Sequence, residues 1–267
     1  MRIVEHARTL ARHRTLVAIL TARELKARYR GSLLGWLWSV VNPLLLLLVY
    51  TIVFQVVFRR SDDATRPYAL FLFTGLLPWN WLAASLIEST VSLTGNGNLI
   101  RKVLFPAEVL TLTYVLGQLV HFLLSLPILA LGLAAARIWL GRPIPATLVL
   151  LPLLVLLELI FIAGCSLAFA PLAVHFRDLR DLLTNVLNLG FFLTPILYVA
   201  DSVPPAIRWV LVWNPVSPFV LAFQDVAFHG RFPPASRWGA MVALASGAWI
   251  VGVWTFDRLR DGLVEEV

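Results

Sequence analysis

Three ionisable side chains stand where a charge is expensive. Glu88, His121 and Glu158 each fall inside a long apolar stretch, and an ionisable group at bilayer depth is a suspect for a functional role. Glu158, nearest the middle of its stretch, could pair with another helix, line a wet cavity or carry protons. A second set is cationic. Lys26, Arg28 and Arg30 sit just ahead of an apolar run, where basic residues anchor a membrane protein to the side from which it inserts. Anchoring is their first explanation; the second is phosphate, which Arg grips through a planar two-pronged guanidinium. A third set, Arg177, Asp178, Arg180 and Asp181, alternates in sign and fits either a salt-bridged loop or contact with a partner. Asp178 and Asp181 alone are thin for a metal-holding carboxylate cluster. The sequence contains no G-x-x-x-x-G-K-[ST]; no glycine is even followed by lysine. The chain therefore cannot hold ATP through a P-loop.

The elements that must position these groups are membrane helices. Of the 267 residues 59% are hydrophobic and 14% charged, against about 25% charged in an ordinary soluble domain. The net charge of +7 would suggest nucleic acid in a soluble protein. Here the positive residues gather at the edges of apolar runs, so topology and anionic lipid are the explanation, and no nucleic-acid partner is expected. The single cysteine, Cys165, lies in an apolar run and reads as a packing residue. The N-terminal stretch is too charged, and the first apolar run too long, for a cleavable signal peptide.

Hydropathy and breakers predict an all-α polytopic protein with six spans near 33–58, 68–93, 108–136, 146–174, 182–200 and 236–256, forming one transmembrane domain over 1–267. Residues 1–32 read as partly amphipathic helix lying in the membrane interface. Gly95-Asn96-Gly97-Asn98 breaks the chain after span two. Asn98 can then cap a short helix, Leu99–Phe105, which Pro106 stops. Residues 201–235 differ from the rest: Asn214-Pro215 and Ser217-Pro218 divide an apolar stretch into pieces of roughly 12 to 21 Å, short of the ~30 Å hydrocarbon core. Two re-entrant helices fit better than a span. With the N-terminus inside, the inner segments hold fourteen of the 22 Lys and Arg, so both termini are expected in the cytoplasm and 201–235 outside.

The piece Asn98, Leu99, Ile100, Arg101, Lys102, Val103, Leu104, Phe105, Pro106 is a short capped amphipathic helix between two spans. It suits a partner groove or a place on the headgroups. Glu24–Pro43, this helix, and Thr194-Pro195-Ile196-Leu197-Tyr198 with Trp213-Asn214-Pro215-Val216-Ser217-Pro218-Phe219 together resemble the ABC type-2 exporter permeases. They are most similar to the branch exporting polysaccharides and polyol phosphates: O-antigen, teichoic acid and capsule.

That resemblance implies a homodimer in the bacterial inner membrane, docking two cytoplasmic ATPase subunits that bind ATP and Mg, with no cofactor in this chain. It implies that 98–105 is the coupling helix and 1–32 the interface helix. Trp213, Asn214, Pro215 and Pro218 would belong to an outer gate. It also implies a lipid-linked glycan as substrate, whose phosphate Lys26, Arg28 and Arg30 could receive. Aromatic faces stack on the C–H faces of sugars, which gives Tyr50, Phe54, Phe191, Phe192 and Tyr198 a reading as glycan conduit beside ordinary packing or a lipid-facing belt. Two other classes stay open on the residues: a proton-coupled transporter built on Glu158, His121 and Glu88, and an integral-membrane lipid-linked phosphotransferase.

Overall fold

The structure, a computed structural model, describes residues 14–28, 31–32, 35–53, 65, 67–97, 99 and 106–262, without the side chains of Arg28, Trp36, Thr51 and Asp261. Among them the regular elements are helical throughout. They are α1 (Arg14–Arg28), α2 (Trp38–Thr51), α3 (Tyr68–Ser92), α4 (Glu108–Leu140) and α5 (Leu151–His175, entered through a 3-10 turn Ala146–Leu150). There follow α6 (Leu179–Leu193), α7 (Trp209–Trp213), α8 (Ser217–Phe223, running on into a π turn Gln224–His229) and α9 (Ala235–Leu259).

By length and composition, four helices among the described residues can cross a membrane: α3, α4, α5 with its 3-10 lead, and α9. A fifth is counted if the pair Pro205–Trp213 and Ser217–His229, bent by 95°, is one broken span. The expected span one, 33–58, is described only in part, as the short apolar helix α2. Span five is shorter than the expected 182–200. Its helix ends at Leu193, because Thr194 is already extended at φ −93° and ψ 140°, the conformation that a following proline imposes. The 15 residues of α6 reach about 22 Å, less than the hydrocarbon core. Span three runs longer than expected. Arg137 does not end α4; the helix continues to Gly141, which takes φ +66° and turns its N–H back on Arg137 O at 3.1 Å.

The bundle is organised around α3. Most of its length is covered by protein, including Phe71, Leu72, Leu82 and the backbone at Pro78. A proline is tolerated there because neighbouring helices surround the interrupted ladder. Helices α2, α4, α5, α6 and α8 pack around it. Phe71 meets Phe228, Phe122 meets Trp81 and Phe223, and Phe161 stacks on Phe219. A second cluster closes the opposite end, where Val17 and Leu20 of α1 join Leu93, Val109, Leu110, Val174 and Phe256. Helix α1 and the end of α9 therefore share one end of the bundle.

The closest crossing is between α5 and α9. A Cβ on Gly164 would lie 2.4 Å from the backbone of Ala248 and Trp249, and one on Gly252 would lie 2.0 Å from Gly164 O. Without lipid-excluding hydrophobic force, membrane helices depend on such backbone approach for their association.

Candidate functional site

Four of the five residues read as an aromatic conduit come together. Tyr50 on α2 stacks on Phe191 of α6 with ring centroids 5.8 Å apart. Phe192 meets Phe191 edge-on at 5.3 Å, and the Tyr198 hydroxyl donates to Phe192 O at 3.3 Å. Phe54 lies outside the described residues. Trp79 of α3 completes the group, edge-on to Phe191 at 5.9 Å. Sequence reasoning missed it, although its position one residue after Pro78 on the central helix was the available signal. Gly190 makes room for it: a Cβ there would stand 3.2 Å from the Trp79 ring. Within the group Phe191 is buried, while Phe192 is 63% exposed. Tyr198 is not on the α6 helix as expected. It follows the break at Pro195.

That break is pinned from three sides. Asn214 Nδ2 donates to Thr194 Oγ1 at 2.8 Å, and Asn214 Oδ1 accepts the Val216 N–H at 2.9 Å. Gln224 Nε2 donates to Pro195 O at 2.9 Å, and the Tyr68 hydroxyl donates to Leu197 O at 3.1 Å. The non-helical run 194–197 is buried in protein, the condition for irregular backbone at membrane depth. Of the residues read as an outer gate, Asn214 is thus the structural tie. Pro215 follows it in the turn, Pro218 sits in the first turn of α8, and Trp213 is 80% exposed.

The same end carries an ion cluster absent from the sequence reading. Asp225 is buried and takes Arg231 Nε on Oδ1 at 2.6 Å and Arg237 on Oδ2. Arg142 lies 4.2 Å over the Phe228 ring, and its partial burial lowers the guanidinium pKa from its ordinary value. Asp225 sits two residues from the end of an apolar run; only the later Arg231 and Arg237 hinted at its partners.

At the other end, Arg23 Nη2 donates to Asn96 Oδ1 at 3.1 Å, and Asn96 Nδ2 donates to Ser92 O and the Tyr114 hydroxyl. This joins α1 to the turn that follows α3. Of the three basic residues read as phosphate receivers, Lys26 is an exposed residue of α1. Arg28 ends the helix with its side chain undescribed, and Arg30 lies outside the described residues. So do Asn98, Ile100, Arg101, Lys102, Val103, Leu104 and Phe105; Leu99 alone of that helix is described, in helical conformation.

Among the described residues no hydrogen bond links His121 or Glu88 to Glu158. His121 Nδ1 is 2.9 Å from Ser39 Oγ. Glu158 is fully buried and neither carboxyl oxygen has a hydrogen-bond partner. Among the described residues no group of three His, Cys, Asp or Glu could hold a metal, and Arg177, Asp178, Arg180 and Asp181 form no ion pair with one another.

Residues 15–228 match the family described as ABC-2 type transporter. The chain belongs to that family. It is a membrane-embedded transporter permease subunit and not an enzyme. A relative from Myxococcus xanthus, an O-antigen export system permease protein, is 35% identical over 99% of this chain and 98% of its own. One of the same name from Klebsiella pneumoniae is 34% identical over 80% of this chain and 81% of its own. A polysialic acid transport protein from Escherichia coli is 22% identical over 80% and 81%.

Proposed function

We infer that this chain is the permease subunit of an ATP-driven exporter that carries a lipid-linked polysaccharide, of O-antigen, capsule or teichoic acid type, across the bacterial inner membrane. The observation that carries the reading is the whole-length similarity to an O-antigen export permease. The stacked group Tyr50, Trp79, Phe191 and Phe192 supports it, since aromatic faces give a sliding glycan weak, repeated contacts without demanding one sugar.

In this reading two copies enclose the path, each crossing six times with both termini in the cytoplasm, and each docks one ATPase subunit that binds ATP and Mg. The lipid phosphate is received near Lys26, Arg28 and Arg30. Closure of the ATPases pushes on Asn98–Phe105. The neighbouring turn at Asn96, already tied to α1 by Arg23, passes that motion to the N-terminal helix. Coupling is the differential stabilisation of two conduit states. Tyr50, Phe54, Phe191, Phe192 and Tyr198 line the path, and the bent pair holding Trp213, Asn214, Pro215 and Pro218 holds its exit.

Two assays test this. A tagged chain expressed with its neighbouring genes and purified in mild detergent is expected to bring down an ATP-hydrolysing partner at equal stoichiometry. A strain deleted for the chain is expected to lose surface polysaccharide and regain it on complementation. Purification alone, with surface polysaccharide unaffected, overturns the reading.

A further inference from the structure

Helix α6 turns two carboxamides away from the bundle. Leu183, Leu187 and Phe191 are its buried face, and Gly190 lies against Trp79. On the other side Asp181, Asn185, Asn188 and Phe192 are exposed, and their spacing of four, three and four residues sets them in one seam. Leu182, Val186, Leu189 and Leu193, also exposed, make an apolar seam beside it. Among the described residues neither Asn185 nor Asn188 has a hydrogen-bond partner. Helix α2 does not cover them: its Tyr50 stacks on Phe191, and both asparagines stay open.

The seam lies at membrane depth. Phe191 meets Trp79 edge-on at 5.9 Å, and Trp79 is near the middle of α3, a helix long enough to cross. At about 1.5 Å per residue, Asn188 lies ~5 Å and Asn185 ~9 Å along α6 from Phe191. Both are within the ~15 Å half-thickness of the hydrocarbon core. An unpaired carboxamide facing acyl chains there is costly, so the seam faces protein or water.

Its chemistry favours a second copy of this chain. Two copies inserted the same way are related by a two-fold axis along the membrane normal. That axis sets α6 parallel to α6 and each seam residue opposite its own counterpart. A carboxamide suits such a meeting because it donates and accepts side by side. Paired asparagines in a seam of this spacing fix register and oligomeric state, and asparagine bonds join helices within membranes. At the Leu179 end each copy exposes both signs, Arg177 and Arg180 with Asp181, so the carboxylate of one copy can meet a guanidinium of the other.

We propose that α6 packs against α6 of a second copy through this seam, with Asn185 and Asn188 each paired to its counterpart across the two-fold axis. The proposal rests on the reading of two copies given above and names the helix and the side chains by which they meet.

The test is cysteine cross-linking in native membranes, with the neighbouring genes expressed and Cys165 replaced by alanine. Asn185→Cys and Asn188→Cys are expected to give a disulfide-linked dimer with copper phenanthroline. Leu131→Cys and Ile138→Cys, exposed on α4, are not. Asn188→Leu should weaken association about threefold, the value of one interhelical bond, read by energy transfer between labelled copies diluted in lipid. Asn188→Gln, which keeps the carboxamide, should weaken it less. Cysteines at 185 and 188 that react with a water-soluble methanethiosulfonate yet form no dimer place the seam on a water-filled path, and cysteines that do neither place it in lipid. Either result overturns the proposal, as does equal cross-linking at Leu131→Cys. Native mass spectrometry of the purified complex counts the copies, and surface polysaccharide is measured in the complemented deletion strain. Two copies without the cross-link overturn the seam and leave the exporter reading standing. A single copy overturns the two-copy reading with it. A wild-type chain that restores no polysaccharide overturns the exporter reading itself.

Discussion

Asn214 Nδ2 donates to Thr194 Oγ1 across 2.8 Å, and Thr194 Oγ1 in turn donates to Gly190 O at 2.7 Å. The bent pair is thereby fastened to the last turn of α6, one residue before the stacked Phe191. Asn214 also caps its own turn through the Val216 N–H. Replacing it with leucine removes both bonds and leaves Thr194, which is fully buried, without its donor. The expected cost is about 1–3 kcal/mol, seen as a fall of a few degrees in detergent melting. Export should drop several-fold while the ATPase still co-purifies. Unchanged export with a lowered melting point would assign Asn214 to stability alone.

The α5–α9 crossing makes a sharper forecast. Gly164 and Gly252 meet backbone to backbone, and a single Cβ at Gly252 would stand 2.0 Å from Gly164 O. No side chain can rotate away from that overlap. Gly252→Ala must push the helices apart, at ~1–3 kcal/mol for an overpacked methyl, and Gly252→Leu should leave no monodisperse protein on size exclusion. Gly247 is the control. It lies on the same helix with nothing within 4 Å of its Cβ position, so Gly247→Ala should purify like the wild type.

Asp225 holds two arginines with one buried carboxylate. Asp225→Asn leaves Arg237, whose side chain is 20% exposed, facing a neutral amide. Losing one partner of a buried pair costs roughly 3–5 kcal/mol. The effect here should fall nearer 2 kcal/mol, because Arg231 is 61% exposed and water screens its share. Differential scanning fluorimetry of Asp225→Asn against Arg231→Gln checks this; the second substitution should be close to neutral.

The sequence made the helical class and the bend within 201–235 legible, because apolar runs and proline breaks act locally. Span five shows where local reading stops. The run 182–200 carries no charge, but Pro195 ends the helix at Leu193, and the tail is held at depth by Tyr68, Asn214 and Gln224, which reach it from 129, 20 and 29 residues away. The stacked group was half legible for the same reason. Tyr50, Phe191 and Phe192 stand out as aromatics in spans, whereas Trp79 depends on the small Gly190 opposite. The Asp225 pairs span only 6 and 12 residues, but they bridge the turn between α8 and α9, which no pattern within one helix reports.

Glu158 separates two driving forces. Its carboxyl is wholly enclosed and both oxygens lack partners. His121 meets Ser39, and among the described residues no hydrogen bond reaches the Glu158 carboxyl. A buried carboxyl without a hydrogen-bonded partner is a cost to folding rather than a support. Glu158→Gln should therefore keep export within about twofold of wild type, and Glu158→Leu should leave the melting temperature equal or higher. A proton-coupled carrier built on this residue gives the opposite result: Glu158→Gln abolishes transport while ATPase co-purification is irrelevant to it. Export measured in the complemented deletion strain, with and without an uncoupler after ATP is clamped, decides between them. Retention in Glu158→Gln with full sensitivity to a hydrolysis-dead ATPase leaves nucleotide hydrolysis as the driving force.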